Sequence, residues 1–579
     1  KNLQLSRLNR PILYFSGLIG IILLVLTGGY RWASLLWVQI ISAIFFTLAT
    51  AGILYYRGFL KHGKLPNTGL EVFFGGFLSV IVLTWITSSD LRQSLDRVIQ
   101  ILIYVLCFFV FYELFSILGQ KKFWIYFWLI ITGVLLIGAL VEVSTAYRNW
   151  FTLIAPDFEQ PPYLYRFTGT LGHSNPLMAL VNLFLPICLV FLFTSKKLWQ
   201  RMLFALWLVV YALGLIFSSS RGGVLGIIGG LIILLLLSIL HHGWLIELKE
   251  WIRRKPRLSI AIFIFIGVII LAIGLASMFT FLQHPSHGAG FWDSRLSIWQ
   301  KALQIWESSP LIGIGPGRFP FEYLKISHSI PPGEWITNAH QTLLTTLVES
   351  GLIGCIALVV LIVGIFQKVI SLYRILESEH RLIVAGAMAG IFGFILHSLV
   401  DDFTDWPVVM ISCVFLLAWI FSFTPESERK NHDISIHFLW VPAGIVVLCI
   451  SFILSAYIPF WSGYQDISKG NFNNTSHELQ KGILRDPNLT YYQMNVGLLR
   501  AQEWAQTNDP EMLVLARYDL KYVVDAKPEL GWIGADLAML DWQLGNSMSA
   551  IHYLEKDIQS SPLEASYPLN LGWIYEQSG

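Results

Sequence analysis

Between residues 11 and 460 the chain is a succession of apolar runs, most close to 20 residues long, separated by short polar stretches. Nothing else in the sequence constrains its folding as strongly. The hydrocarbon core of a bilayer takes a helix of about 20 residues, which satisfies all of its backbone polar groups internally. On that length criterion there are about 13 candidate spans. They lie near 11–28, 34–56, 70–88, 98–118, 123–142, 176–194, 202–219, 222–240, 258–281, 340–367, 382–400, 406–423 and 437–460. The pair flanking Arg221 is the least distinct, because the hinge between the two is short.

Composition supports this reading. The chain is 55% hydrophobic and 13% charged, with mean hydropathy +0.62, whereas soluble domains carry roughly 25% charged residues. Residues 461–579 have ordinary soluble composition. The expected fold is therefore all-α: a polytopic bundle of about 12–13 spans over 1–460, followed by a helical domain over 461–579. A net charge of +2 gives no reason to expect a nucleic-acid partner. Cys107, Cys188, Cys355, Cys413 and Cys449 all lie inside apolar runs, so neither a disulfide framework nor a zinc site is expected. The chain opens on Lys1 rather than Met, so trimming at its start is expected. A secretory signal is the competing reading of the first run, but the Gly28–Trp32 segment that follows is a poor cleavage site.

Orientation follows from the basic residues in the connections. With the N-terminus in the cytoplasm, every inside loop is basic: Arg57, Lys61 and Lys64; Lys121 and Lys122; Lys196, Lys197 and Arg201; Arg253, Arg254, Lys255 and Arg257; Lys368, Arg374 and Arg381; Arg429 and Lys430. The outside connections are poor in lysine. This puts the long loops 143–175 and 282–339, the hinge 218–223 and the C-terminal domain on the outer side.

In the C-terminal region Pro528 and Pro562 are 34 residues apart, as are Gly545 and Gly579. A helix running into Pro562, then one bearing Leu571, Gly572 and Trp573, resembles a tetratricopeptide repeat. A weaker unit surrounds Pro487. Such an α-solenoid binds peptides or partner proteins, or serves only as a lid. It normally ends in a cap, so the chain is expected to continue beyond Gly579.

The polar residues that bear on chemistry gather on the outer side. Arg221 stands in SSSRGG at 218–223, where serine hydroxyls and a guanidinium offer an anion several donors; the alternative is a snorkelling helix-end residue. The segment Phe291–Trp306 has Leu296, Ile298, Trp299, Leu303 and Trp306 at helical spacing, which predicts an amphipathic interfacial helix with Arg295 at its anion-favouring start. Arg295 also reads as a cap or as a partner of Asp293. A glycine-rich turn, Gly313, Gly315 and Gly317, precedes Arg318; no strand precedes it, so it is not a dinucleotide fingerprint. Asn338, His340 and Gln341 open the next long helix, where an imidazole can act as a general base. Arg166, His173, Asp401 and Asp402, with Asp405, are further candidates for contacting substrate. Each also has a bland reading as a cap or solvated turn. No metal-ligand cluster is visible and no cofactor is implied.

Taken in order, RFTG and SNP at 166–176, SSSRGG, the SPLIGIGPGRF stretch ending at Phe319, and NAHQ followed by ESGLIG resemble the O-antigen ligase/polymerase superfamily. That group comprises O-antigen ligases, Wzy-type polymerases and bacterial protein O-oligosaccharyltransferases. The resemblance is clearest over about 160–420 and lies in the order of the motifs. It implies a bacterial inner-membrane glycosyltransferase that needs no metal. The donor would be an undecaprenyl-pyrophosphate-linked glycan, and the acceptor a glycan, lipid or protein hydroxyl. It also implies that Arg221 and Arg295 hold the pyrophosphate and that His340 activates or orients the acceptor, with inversion at the anomeric carbon. Gln341 departs from the asparagine often found after the histidine. Two other readings remain: an anion transporter of bicarbonate type, for which Glu113 and Glu349 lie within predicted spans, and a non-catalytic scaffold recruiting partners through its repeats.

Overall fold

The computed structural model describes residues 64–65, 68–118, 121–154, 167, 169, 171–240, 253–254, 256, 285–327, 336–425, 434–435, 437–468, 475–562 and 564–578. The expected spans at 11–28, 34–56 and 258–281 lie outside these residues. The described helices are α1 (Glu71–Ile86), α2 (Leu91–Leu118), α3 (Lys121–Asn149), α4 (Ser174–Thr194), α5 (Leu198–Ser218), α6 (Arg221–Leu240), α7 (Pro285–Glu307), α8 (Phe319–Ile326), α9 (Thr342–Ile375), α10 (Ser378–Ser398), α11 (Pro407–Phe421) and α12 (His437–Ser468). Then come α13 (Thr475–Arg485), α14 (Thr490–Thr507), α15 (Pro510–Ala526), α16 (Gly531–Gln543), α17 (Ser547–Ser560) and α18 (Ser566–Ser578). Lys64–Leu65 and Ile434–Ser435 form a two-residue antiparallel pair.

Among the described residues, eight helices are long and apolar enough to cross a membrane: α2, α3, α4, α5, α6, α9, α10 and α12. Helices α1 and α11 are apolar but shorter. The outward face of α6 carries Leu225, Ile228, Ile232, Leu235 and Leu236 in the open. Each such side chain would cost about 1.5–3 kcal/mol to leave in water, and hydrocarbon removes that penalty. The opposite face of α6 is made of small residues. A Cβ on Gly226 would lie 2.5 Å from the Gly393 carbonyl oxygen, and one on Gly393 equally close to that of Gly226. Helices α6 and α10 therefore cross backbone to backbone, the usual way for helices to associate where apolar burial supplies little drive.

The interior is filled by aromatic rings. Trp128 of α3 stacks on Phe184 of α4 at 5.7 Å, and Phe111 of α2 meets Phe415 of α11 edge-on at 5.3 Å. Because successive helices alternate in direction, the starts of α2, α4, α6, α9 and α11 share one end of the bundle with the ends of α1, α5 and α10. The candidate residues lie at this end. Lys122, Lys196, Lys197, Lys368 and Arg381 lie at the other.

One of these helices is broken. Gly351, inside α9, has φ 64° and ψ −171°. The glycine-rich turn fills the gap: Ile314 and Gly315 donate to the Val348 and Glu349 carbonyls at 3.1 and 2.9 Å, and Leu352 and Ile353 donate to Pro310 and Leu311 at 2.9 and 3.2 Å. Gly313, Gly315 and Gly317 all have positive φ. The turn thus satisfies backbone groups that the break would otherwise leave unpaired. It is a structural splice.

Helix α12 runs past residue 460, the expected domain boundary, to Ser468, and α13 packs against it. From α14 onward each helix packs against the next. These C-terminal helices also touch the bundle. Arg92 donates to Asp486 at 2.7 Å. Asp90, in the turn between α1 and α2, accepts from Lys527 at 2.6 Å and lies 3.5 Å from Arg318 Nη1. Leu324 of α8 packs on the apolar cluster of α15 and α16.

Candidate functional site

His340 stands two residues before α9 with φ 51°, a left-handed conformation that few non-glycine residues adopt. Its neighbours hold it there. Asn338 Oδ1 accepts from the His340 N–H at 2.9 Å, and the next residue, Gln341, is the N-cap of α9, its side chain accepting from the Leu344 N–H. The imidazole is then presented sideways. Nδ1 lies 3.2 Å from Asp401 Oδ1, and the side chain keeps 33% of its surface open against 8% for Asp401.

Asp401 is in the turn between α10 and α11. Asn175 donates to its second oxygen, and Arg295 Nη2 lies 3.9 Å from the same atom. Burial alone would raise the Asp401 carboxyl. The hydrogen bond and charge of His340, with the charges of Arg295 and His397, outweigh burial and hold it well below the usual carboxylate range. Arg295 is itself buried. Burial pulls its guanidinium below the ordinary value, against Asp401, although an arginine stays charged at any working pH. Its Nη1 donates to the His340 carbonyl at 3.0 Å and to that of Val400. His340, Arg295 and Asp401 thus form one cluster drawn from three separate segments.

The expected place of Arg295 at a helix start is corrected. Helix α7 begins at Pro285, whose fixed φ and missing N–H suit a first turn, so Arg295 sits well inside it. The face of α7 bearing Ile298, Ala302 and Ile305 packs on Phe319, Ala339 and Val348, and Trp299 Nε1 donates to the Ala339 carbonyl at 3.0 Å. Leu296 and Leu303 stay outside. Helix α7 is therefore a brace for the 338–348 segment, with only its outer edge free for an interface.

Arg221 is the first residue of α6 and is exposed. Ser219 before it is left-handed, and Ser220 Oγ accepts from the Gly223 N–H at 3.1 Å. A Cβ on Gly222 would lie 2.5 Å from the His397 ring and 2.8 Å from Val400. The α6 terminus therefore abuts Val400, whose carbonyl Arg295 holds, and Arg221 opens into the same layer as His340.

The remaining candidates divide. Asn338 is buried and contacts His340 and, at 3.3 Å, Asp405. Asp402 turns inward, accepting from the Thr404 N–H and hydroxyl at 2.9 and 2.7 Å. His173 caps α4, its Nδ1 accepting from Asn175 N–H at 3.2 Å. Arg318 points to Asp90 and Glu322, toward the C-terminal helices. Arg166 lies outside the described residues. Among the described residues, no group of three or more His, Cys, Asp or Glu side chains is arranged to hold a metal ion.

Residues 206–359 match the family model described as O-antigen ligase, Wzy_C. Over that segment the chain is similar to O-antigen ligases. Curated proteins gave no significant match. The ligase segment runs from α5 through the break in α9, so it contains Arg221, Arg295, Arg318 and His340. The match supports a membrane protein with a ligase-type, glycan-transferring function. Asp401, which contacts His340, falls outside the ligase segment, as do Asn175 and Arg97. The last is a buried arginine on α2, 2.8 Å from Asp405. The signal for Arg97 was present in the sequence: a cation at the edge of an apolar run needs a partner.

Proposed function

We propose that the protein transfers a glycan from an undecaprenyl-pyrophosphate donor to an acceptor hydroxyl, with inversion at the anomeric carbon and without a metal ion. The observation that carries this reading is the contact of His340, within the segment that matches O-antigen ligases, with Asp401. A neutral imidazole whose Nδ1–H donates to Asp401 has a free electron pair on Nε2 for the acceptor hydroxyl proton. As that proton moves to Nε2, the acceptor oxygen bonds to the anomeric carbon. The carbon–oxygen bond to the phosphate breaks, and the lipid pyrophosphate leaves with the electron pair. Arg221, exposed at the start of α6, meets the pyrophosphate. Arg295, buried behind it, adds positive charge while holding His340 and Asp401. Together they stabilise the departing anion, which is why no metal is invoked.

We further infer that the site faces the outer side of the bacterial cytoplasmic membrane, with a cytoplasmic N-terminus. The basic residues at the opposite end of the bundle support this. Helices α13–α18 are read as a tetratricopeptide-like solenoid on that same side, supported by their neighbour-on-neighbour packing and the 34-residue offsets, with a protein partner as its ligand.

The test is transfer by the purified chain from a lipid-pyrophosphate oligosaccharide in EDTA, beside His340→Ala and Arg221→Ala. The parent is expected to transfer, and His340→Ala to lose on the order of 100- to 10,000-fold. No donor consumption with any acceptor offered, or a fully active His340→Ala, would overturn the reading.

A further inference from the structure

Arg97 is outside the ligase segment, and the proposed transfer step does not use it. Its side chain is nearly buried near the start of α2, where an unaligned cation would be costly. Its partners are well defined. Nη2 lies 2.8 Å from Asp405 Oδ1, and Nη1 donates to Gln100 Oε1 at 3.2 Å. Gln100 in turn donates to the Tyr104 hydroxyl, and that hydroxyl donates to the Thr404 carbonyl, both at 2.9 Å. One face of α2 therefore grips residues 404 and 405 at two points.

The grip continues to the site. The other oxygen of Asp405 accepts from Asn338 Nδ2 at 3.3 Å, and Asn338 Oδ1 accepts from the His340 N–H at 2.9 Å. His340 is the residue held at φ 51°. An L-residue in that conformation relaxes toward negative φ unless its surroundings fix it. Here the fixing contact on its N–H traces back, through two side chains, to Arg97.

We propose that Arg97 is a positioning residue for His340, acting through Asp405 and Asn338. This rests on reading His340 as the group that activates the acceptor. If that chain of contacts sets the imidazole, Arg97 and Asn338 work as one unit, and removing both does little more than removing either.

The experiment measures transfer and thermal unfolding of the full chain for Arg97→Gln, Asn338→Ala, the double variant, Arg97→Lys and His340→Ala. The donor is a lipid-pyrophosphate oligosaccharide. Expected is a fall in kcat of about 10- to 100-fold for Arg97→Gln, with donor KM nearly unchanged. A similar fall is expected for Asn338→Ala, with no multiplication in the double variant and partial recovery in Arg97→Lys. Should Arg97→Gln unfold because it strands the Asp405 carboxylate, Arg97→Gln combined with Asp405→Asn removes that charge, and the kcat loss is still expected. Full kcat in the folded Arg97 variants, multiplying losses, or a loss that merely tracks the unfolded fraction overturns the proposal. If His340→Ala transfers like the parent, the reading of His340 fails and the proposal falls with it. If His340→Ala is inactive while Arg97→Gln is normal, only the positioning role is lost.

Discussion

His340 Nδ1 and Asp401 Oδ1 are 3.2 Å apart although 61 residues separate them in the chain. In the proposed transfer the carboxylate both fixes the ring and favours the imidazolium formed when the acceptor gives up its proton. Asp401→Asn keeps the shape and removes the charge, so kcat is expected to fall on the order of 100- to 10,000-fold. Stability gives an independent check. The folded Asp401 carboxyl is held below its ordinary value of 3.8, so its contribution is present above that value and is lost as pH falls through the lower folded one. The stability gap between parent and Asp401→Asn, followed by thermal unfolding in detergent, should be constant at neutral pH and close in acid. A gap that widens toward acid would contradict the assignment.

Gly351→Ala should break the splice in α9. A Cβ there would lie 2.2 Å from the Leu311 carbonyl oxygen, at a residue already at φ 64°. Strain and overlap together cost about 2–5 kcal/mol. The variant should unfold at lower temperature and lose transfer, because α9 begins beside His340. Gly75→Ala on α1, where a Cβ meets nothing within 4 Å, is the matched control and should be neutral or slightly stabilising.

In the C-terminal helices Asp557 lies against the backbone of α16, its oxygens 2.5 and 2.6 Å from where a Gly534 Cβ would be. Burial pushes its carboxyl up to about 7, with Lys556 lowering it and Asp536 raising it. A raised folded value means that stability is fully present below the ordinary 3.8 and is lost as pH rises through about 7. Asp557→Asn should therefore stabilise this region by up to roughly 4 kcal/mol at pH 8 and give little near pH 4. Hydrogen exchange of α16 and α17 across that range is the measurement; an unchanged difference at both pH values would count against it.

Much of this was legible in the sequence. Apolar runs near 20 residues long are a local signal, and ten of the expected spans fall on described helices, eight of them meeting the length and hydropathy requirement. Arg221, Arg295 and His340 could be singled out because polar residues are conspicuous beside such runs. What could not be read were their partners. Asp401 was one of three neighbouring acids, and only folding showed which of them meets His340. The purpose of the glycine-rich turn could not be read, because it depends on a break at Gly351 in another segment. Helix α7 starts earlier than its apolar pattern, since Pro285 to Gly290 carry no amphipathic signal. Gln341 had a local explanation after all: it caps α9.

Asp90 holds Lys527 of the C-terminal helices and Arg318 of the turn that splices α9. The C-terminal helices and the turn that closes the break in α9 thus share a single carboxylate, and a change that moves one of the two cations off Asp90 alters the charge that the other meets.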